Sequence, residues 1–194
     1  MRKTAVTAAL LIPAGLLAGC FDAADEGLAL DDEAALATAE QAVDAPRTPS
    51  SCAEFFRDEV EIAASAERVF DILADLPSYP EWNPWVVRAE GDLTPGGAVN
   101  VDVVLNGRVQ KADHYVLTVE PYREICWRDA GWNSYLVYAQ RCRTIEPLAS
   151  GHVKLKNELF LDGPLAWLGK LTNGTALQSG IQAEDAAVKQ RAEH

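Results

Sequence analysis

The stretch Tyr79-Pro80-Glu81-Trp82-Asn83-Pro84-Trp85-Val86-Val87 constrains this chain most, with two prolines and two tryptophans in seven residues. Each proline pushes the residue before it out of the helical region, so no long helix runs through here. Trp82 and Trp85 are large amphipathic side chains that seek a packed site. The stretch therefore predicts a rigid corner. Before it, Ala66, Val69, Phe70 and Leu73 recur at helical spacing over 66–75. Ser65 stands at the N-cap, Glu67 favours the first turn, and Pro77 ends the helix. A second short helix or turn covers 78–83. Upstream, Phe56, Val60 and Ile62 alternate with Glu59 and Glu61 as a half-buried strand. Asp58 interrupts the apolar face, so that strand is expected to start late.

After the corner the periodicity is two. Strands are expected over 85–90, 99–105, 108–120, 124–129, 138–146 and 152–161. Asn106-Gly107 is a hairpin signal, because both residues tolerate positive φ. Gly163-Pro164 opens a long helix over about 165–192, with Leu177, Ile181 and Val188 on one stripe and Asn173-Gly174 as a point where it can kink. The order is strand, two short helices, six strands, long helix. The fold class is α+β: a curved seven-stranded antiparallel sheet around a long C-terminal helix, with two short helices after strand 1.

These features resemble the START-like helix-grip superfamily, also called SRPBCC, in its polyketide cyclase/dehydrase and lipid-transport branch. The residues that carry the resemblance are Ile62–Phe70, Tyr79–Trp85, Val119–Arg128 and Gly163–Ala192. The resemblance spans about 54–192 and implies a cavity between sheet and long helix that holds a hydrophobic small molecule. It implies no particular reaction, since the superfamily contains carriers, sensors and enzymes.

The first twenty residues read as an address. Arg2 and Lys3 precede an apolar run to Leu17, too short to span a bilayer. Leu17-Ala18-Gly19-Cys20 resembles a bacterial lipobox, which implies cleavage after 1–19 and lipid attachment at Cys20. Several acyl chains anchor stably where one does not. The expected location is a membrane facing the periplasm or cell surface, and the outer membrane in a Gram-negative source, because Phe21 and not aspartate follows the cysteine. Residues 20–50 are an acidic, flexible linker rich in alanine, unable to bury enough apolar surface to fold. The folded domain is 51–194. Loss of Arg2 and Lys3 with the leader takes the formal charge from −12 to −14. Such a chain is a poor nucleic-acid binder and is repelled by anionic headgroups, so the acyl chains must hold the membrane. A monomer is expected.

Metal, nucleotide and triad chemistry find no support in the pattern. The histidines His114, His152 and His194 lack ligand spacing, and there is neither a phosphate loop nor a nucleophile elbow. No cofactor is expected. His114 is the one candidate acid–base group on the inner wall. A two-residue turn at Asn106-Gly107 pairs Val99 with His114 and turns it inward. A shift of one residue instead brings in Tyr115, and a bulge would reconcile the two. On the last strand, Leu159 faces inward and Asn157 interrupts that face as a polar handle for a ligand or a bonded structural amide. Arg141 and Arg143 share a face and, turned inward, would suit a carboxylate or phosphate head. Trp82, Trp85, Trp127, Tyr138, Phe160 and Trp167 are expected first in the core, with Trp82, Trp85, Trp127 and Tyr138 also candidates for a cavity lining. Trp132, in the loop 130–137, is a candidate gate. Cys52, Cys126 and Cys142 are an odd number. Cys126 with Cys142, on neighbouring strands, is the favoured disulfide, and Cys52 with either is the alternative.

The expected function is binding of an apolar ligand by a membrane-anchored lipoprotein. The alternatives are a cyclase or dehydratase acting on a polyketide-like substrate, and an interaction module without a ligand cavity.

Overall fold

The computed structural model describes residues 44–130 and 135–194. The leader, Cys20, most of the linker and Trp132 lie outside the described residues. The elements in order are β1 (Glu54–Ile62), α1 (Ala66–Ala74), a 3-10 turn (Leu76–Ser78), α2 (Tyr79–Trp82), β2 (Val86–Gly91), β3 (Ala98–Leu105), β4 (Arg108–Glu120), β5 (Glu124–Asp129), β6 (Tyr138–Pro147), β7 (Val153–Asp162) and α3 (Ala166–Glu193). The seven strands form one antiparallel sheet in the order β1-β7-β6-β5-β4-β3-β2. This is the helix-grip arrangement: α3 lies in the concave face, and the core sits between.

Local chemistry sets these elements. The Ser65 hydroxyl accepts from the Arg68 amide and starts α1, which buries Val69, Phe70, Ile72 and Leu73. At the corner, the Asn83 side-chain oxygen accepts from the amides of Trp85 (3.0 Å) and Val86 (2.9 Å). The Trp85 carbonyl then accepts from Val104 at 2.8 Å, which ties the corner to β3. Asn106 and Gly107 both have positive φ, 51° and 73°, in the β3–β4 turn. Leu105 therefore faces Arg108, and Val99 faces His114.

β4 contains the bulge that reconciles its two competing patterns. Val116 pairs with Trp127 but Thr118 pairs with Cys126, so Leu117 is the extra residue. Before the bulge, Ala112, His114 and Val116 face inward and Tyr115 faces out. After it, Leu117 is buried and Val119 packs on the core.

Two expectations, on β1 and on Trp167, need correction. β1 does not start late; it begins at Glu54, because its ladder to β7 runs unbroken from Glu54–Leu161 to Ile62–Val153 and pairs Asp58 with Asn157. α3 is one helix from Ala166 to Glu193, and Gly174 within it lies against Phe56. Trp167 is not core: it stands on the outer side of the first turn of α3, 56% exposed.

Candidate functional site

The concave face and α3 enclose a cleft of about 690 Å³. That volume is within the range usual for small-molecule sites. Its apolar wall comes from alternate positions on the strands: Val101, Val103 and Leu105 on β3, and Leu159 and Leu161 on β7. Leu165 and Leu177 close it from the C-terminal segment. Trp85 and Trp127 supply two aromatic walls, while His114, Asp129 and Arg141 are among its polar groups, with Lys111 and Asp113 also in the lining.

Of the residues singled out from the sequence, Trp85, His114, Trp127 and Leu159 come together here. Four do not. Tyr115 is on the other face of β4, 41% exposed and stacked under Arg128, because period-two alternation sends it opposite His114. Tyr138 points to the outer face of β6, where Arg47 covers its ring at 4.3 Å and its hydroxyl donates to Gln140. Trp82 packs edge-on against Tyr79 at the corner and donates to the Ser78 hydroxyl. Asn157 is inward but buried beneath the cleft as a structural amide.

The outer face is partly covered by the end of the linker. The Arg47 amide donates to Gln140 and the Ser50 amide to Asp162, and Arg128 pairs with Asp44. The Cys126–Cys142 disulfide joins neighbouring β5 and β6 on this side, with Cα atoms 4.1 Å apart, and is the favoured pairing.

Under the cleft is a buried ionic cluster. Arg141 Nη2 donates to Glu184 Oε1 at 2.6 Å, and its Nε donates to Asn157 Oδ1 at 2.9 Å. The Asn157 amide donates in turn to Asp185 Oδ1 at 2.7 Å. Asn83 donates to the other Glu184 oxygen at 2.8 Å. Arg143 Nη1 donates to the Tyr79 hydroxyl, which donates to the Leu73 carbonyl. Arg143 Nη1 also lies 3.7 Å from Glu184. The guanidinium of Arg143 stacks on Trp127 at 3.9 Å, and that of Arg141 on Trp85 at 4.7 Å. Trp85 in turn lies flat on α3 at Gly180, where any side chain would collide with its ring.

Burial works against every charge in this cluster. It lowers the Arg141 pKa, with Glu184 opposing the change. It would also raise Glu184, but Arg141 and Arg143 prevail and hold that carboxylate below its usual range. Asp185 is only indirectly paired, and burial pushes it up to about 7. The folded state thus keeps a proton on Asp185 that the unfolded chain has already released. Its stabilising share is complete below about pH 4 and is lost as pH rises through about 7. Asp185→Asn removes that loss. In chemical denaturation the variant is expected to match the parent near pH 4 and to exceed it by about 4 kcal/mol near pH 8. A difference that does not grow with pH would refute this.

Glu184, Asp185 and Asp129 were not picked out from the sequence. The first two had a legible signal: 181, 184, 185 and 188 lie on one helical stripe with Ile181 and Val188, so two acids stand in an apolar seam. Asp129 had none, since its role depends on the register that sets it opposite His114.

At the upper wall, His114 Nε2 lies 3.2 Å from Asp129 Oδ1. Its ring is 5.5 Å from Trp127, and its Nδ1 is buried without a hydrogen-bond partner among the described residues. The carboxylate favours the tautomer with the proton on Nε2, leaving the Nδ1 lone pair available.

A family described as polyketide cyclase / dehydrase and lipid transport matches residues 55–193. No curated protein matches. Solved structures give the same fold. The di-domain ARO/CYC StfQ from the steffimycin biosynthetic pathway superposes with a TM-score of 0.59 at 17% identity, over 73% of this chain and 51% of that one. The chain thus spans about half the length of that di-domain protein. A START superfamily protein from Mycobacterium smegmatis gives 0.53 at 23% identity, over 70% and 97%. Norcoclaurine synthase from Thalictrum flavum, in complex with dopamine and hydroxybenzaldehyde, gives 0.55 at 12% identity, over 86% and 95%.

Proposed function

The chain belongs to the polyketide cyclase / dehydrase and lipid transport family, and from that premise we propose that it binds a hydrophobic small molecule of lipid, isoprenoid or polyketide-like type between the sheet and α3. The observation that carries this reading is the cleft of about 690 Å³ with its apolar walls. The proposal includes export and acylation at Cys20, so that the domain works at a membrane surface. The Cys126–Cys142 disulfide supports an oxidising compartment. Native mass spectrometry of the protein purified from cells tests both parts. A mass that is lost on denaturation is the expected ligand, and a covalent mass retained at Cys20 is the expected acylation. A bare protein mass, unchanged after incubation with mixed lipids, would sink the binding reading.

A second reading rests on His114. With Asp129 at Nε2 and a buried Nδ1 that no described residue bonds, it is arranged as a general base for a substrate that reaches Nδ1, as a cyclase or dehydratase needs. Under this reading His114→Ala keeps the bound mass but loses conversion of it. Under the carrier reading the same variant changes neither.

A further inference from the structure

Building on the ligand-binding reading, we propose that the ligand is an apolar molecule ending in a carboxylate, and that Arg141 receives this group at the floor of the cleft. A guanidinium has five N–H donors on three nitrogens. Arg141 spends Nε on Asn157 and Nη2 on Glu184. Among the described residues its Nη1 makes no hydrogen bond or ion pair, and Arg141 lines the cleft. Those two bonds fix the plane of the guanidinium, so its third nitrogen is presented without further loss of side-chain freedom.

The charge balance points the same way. Arg141 and Arg143 are both buried, and among the described residues Glu184 is the one carboxylate that forms an ion pair with them. Asp185, with a pKa of about 7, supplies only part of a second charge at neutral pH. Arg143 also keeps Nε and Nη2 without partners, behind the Trp127 ring that lines the cleft. A buried surplus of positive charge is costly unless an anion meets it. The apolar part of the wall, including Val101, Val103, Leu159 and Leu177, is suited to a hydrocarbon or aromatic body, and the carboxylates Asp113 and Asp129 are in the same lining.

Calorimetric titration of the full chain distinguishes the possibilities. The probes are octanoic, dodecanoic, hexadecanoic and naphthoic acids, each beside its matched alcohol and methyl ester. At least one acid is expected to bind about tenfold or more tightly than its neutral partners, the increment of a charge-assisted hydrogen bond. Equal binding of acid and alcohol would overturn the carboxylate assignment while leaving apolar binding intact. No binding by any probe would overturn both. The acid preference is also expected to survive Lys111→Gln, which removes a cation at the edge of the cleft. Its loss in that variant would move the head group away from Arg141 and overturn the assignment.

Discussion

Glu184→Ala is expected to lower the stability of the domain by about 3–5 kcal/mol, the cost of leaving one side of a buried ion pair uncompensated. Two donors lose their acceptor together, Arg141 Nη2 and the Asn83 amide, and Arg143 loses the carboxylate 3.7 Å from its Nη1. The Asn83 amide and the Arg143 guanidinium are buried away from solvent, so water replaces the lost carboxylate poorly there. Against a total stability of about 5–15 kcal/mol for a typical domain, this is a large share. Glu184→Gln keeps the shape and the acceptor but not the charge, and is expected to fall between. The midpoint of urea denaturation at constant slope is the measurement. A loss below about 1 kcal/mol for the alanine variant would mean that the cluster is wetter and looser than its geometry implies.

The second large effect is at Gly180. A methyl group there would lie 2.4 Å from Cε2 and Nε1 of Trp85 and 2.5 Å from its Cδ1. Alanine contributes up to about 1 kcal/mol as a better helix former. The collision outweighs this, because the indole cannot retreat freely. Its backbone amide is held by Asn83 and its carbonyl by Val104, and Arg141 stacks on its ring. The open direction is the cleft, which Trp85 already lines. Gly180→Ala is therefore expected to destabilise by about 1–3 kcal/mol and to reduce the noncovalent mass seen by native mass spectrometry. Gly174→Ala is the control. Its methyl would meet Lys170 at 3.3 Å and Phe56 at 3.4 Å, contacts that a flexible lysine and a small ring shift accommodate. If Gly180→Ala were as stable as Gly174→Ala, the indole would not be wedged.

The fold was legible because each of its signals is local. The corner prolines, the Asn106-Gly107 turn and the period-two runs each name a single element, and the elements then have few ways to pack. The site was legible in part. His114 was found because the two-residue turn fixes the register of β3 and β4, Leu159 because its own strand alternates, and Trp85 and Trp127 because of their aromatic bulk. Tyr115 and Tyr138 were misplaced because aromatic character says nothing about which face of a strand a residue takes. The bulge at Leu117 lets β4 serve both of its patterns, and no feature of 108–120 alone marks where the extra residue falls. Glu184 and Asp185 were passed over because acids on a helix are usually solvated. Their partners, Arg141 and Asn157, are on strands that only the finished sheet brings opposite.

The pairing of Glu54 with Leu161 has a temporal consequence. β1 is the first strand to leave the ribosome, yet its one strand partner is the last. Almost the whole domain must be made before β1 has a ladder to join. Hairpins such as β3–β4 close over a two-residue turn and can form early, whereas β1 waits for a distant sequence. Topologies rich in such non-local contacts fold slowly, because loop closure is costly before the contacts return anything. Until β7 arrives, Phe56, Val60 and Ile62 are an unpaired apolar strand. The acids among them, Asp58, Glu59 and Glu61, keep that waiting strand from pairing with another chain.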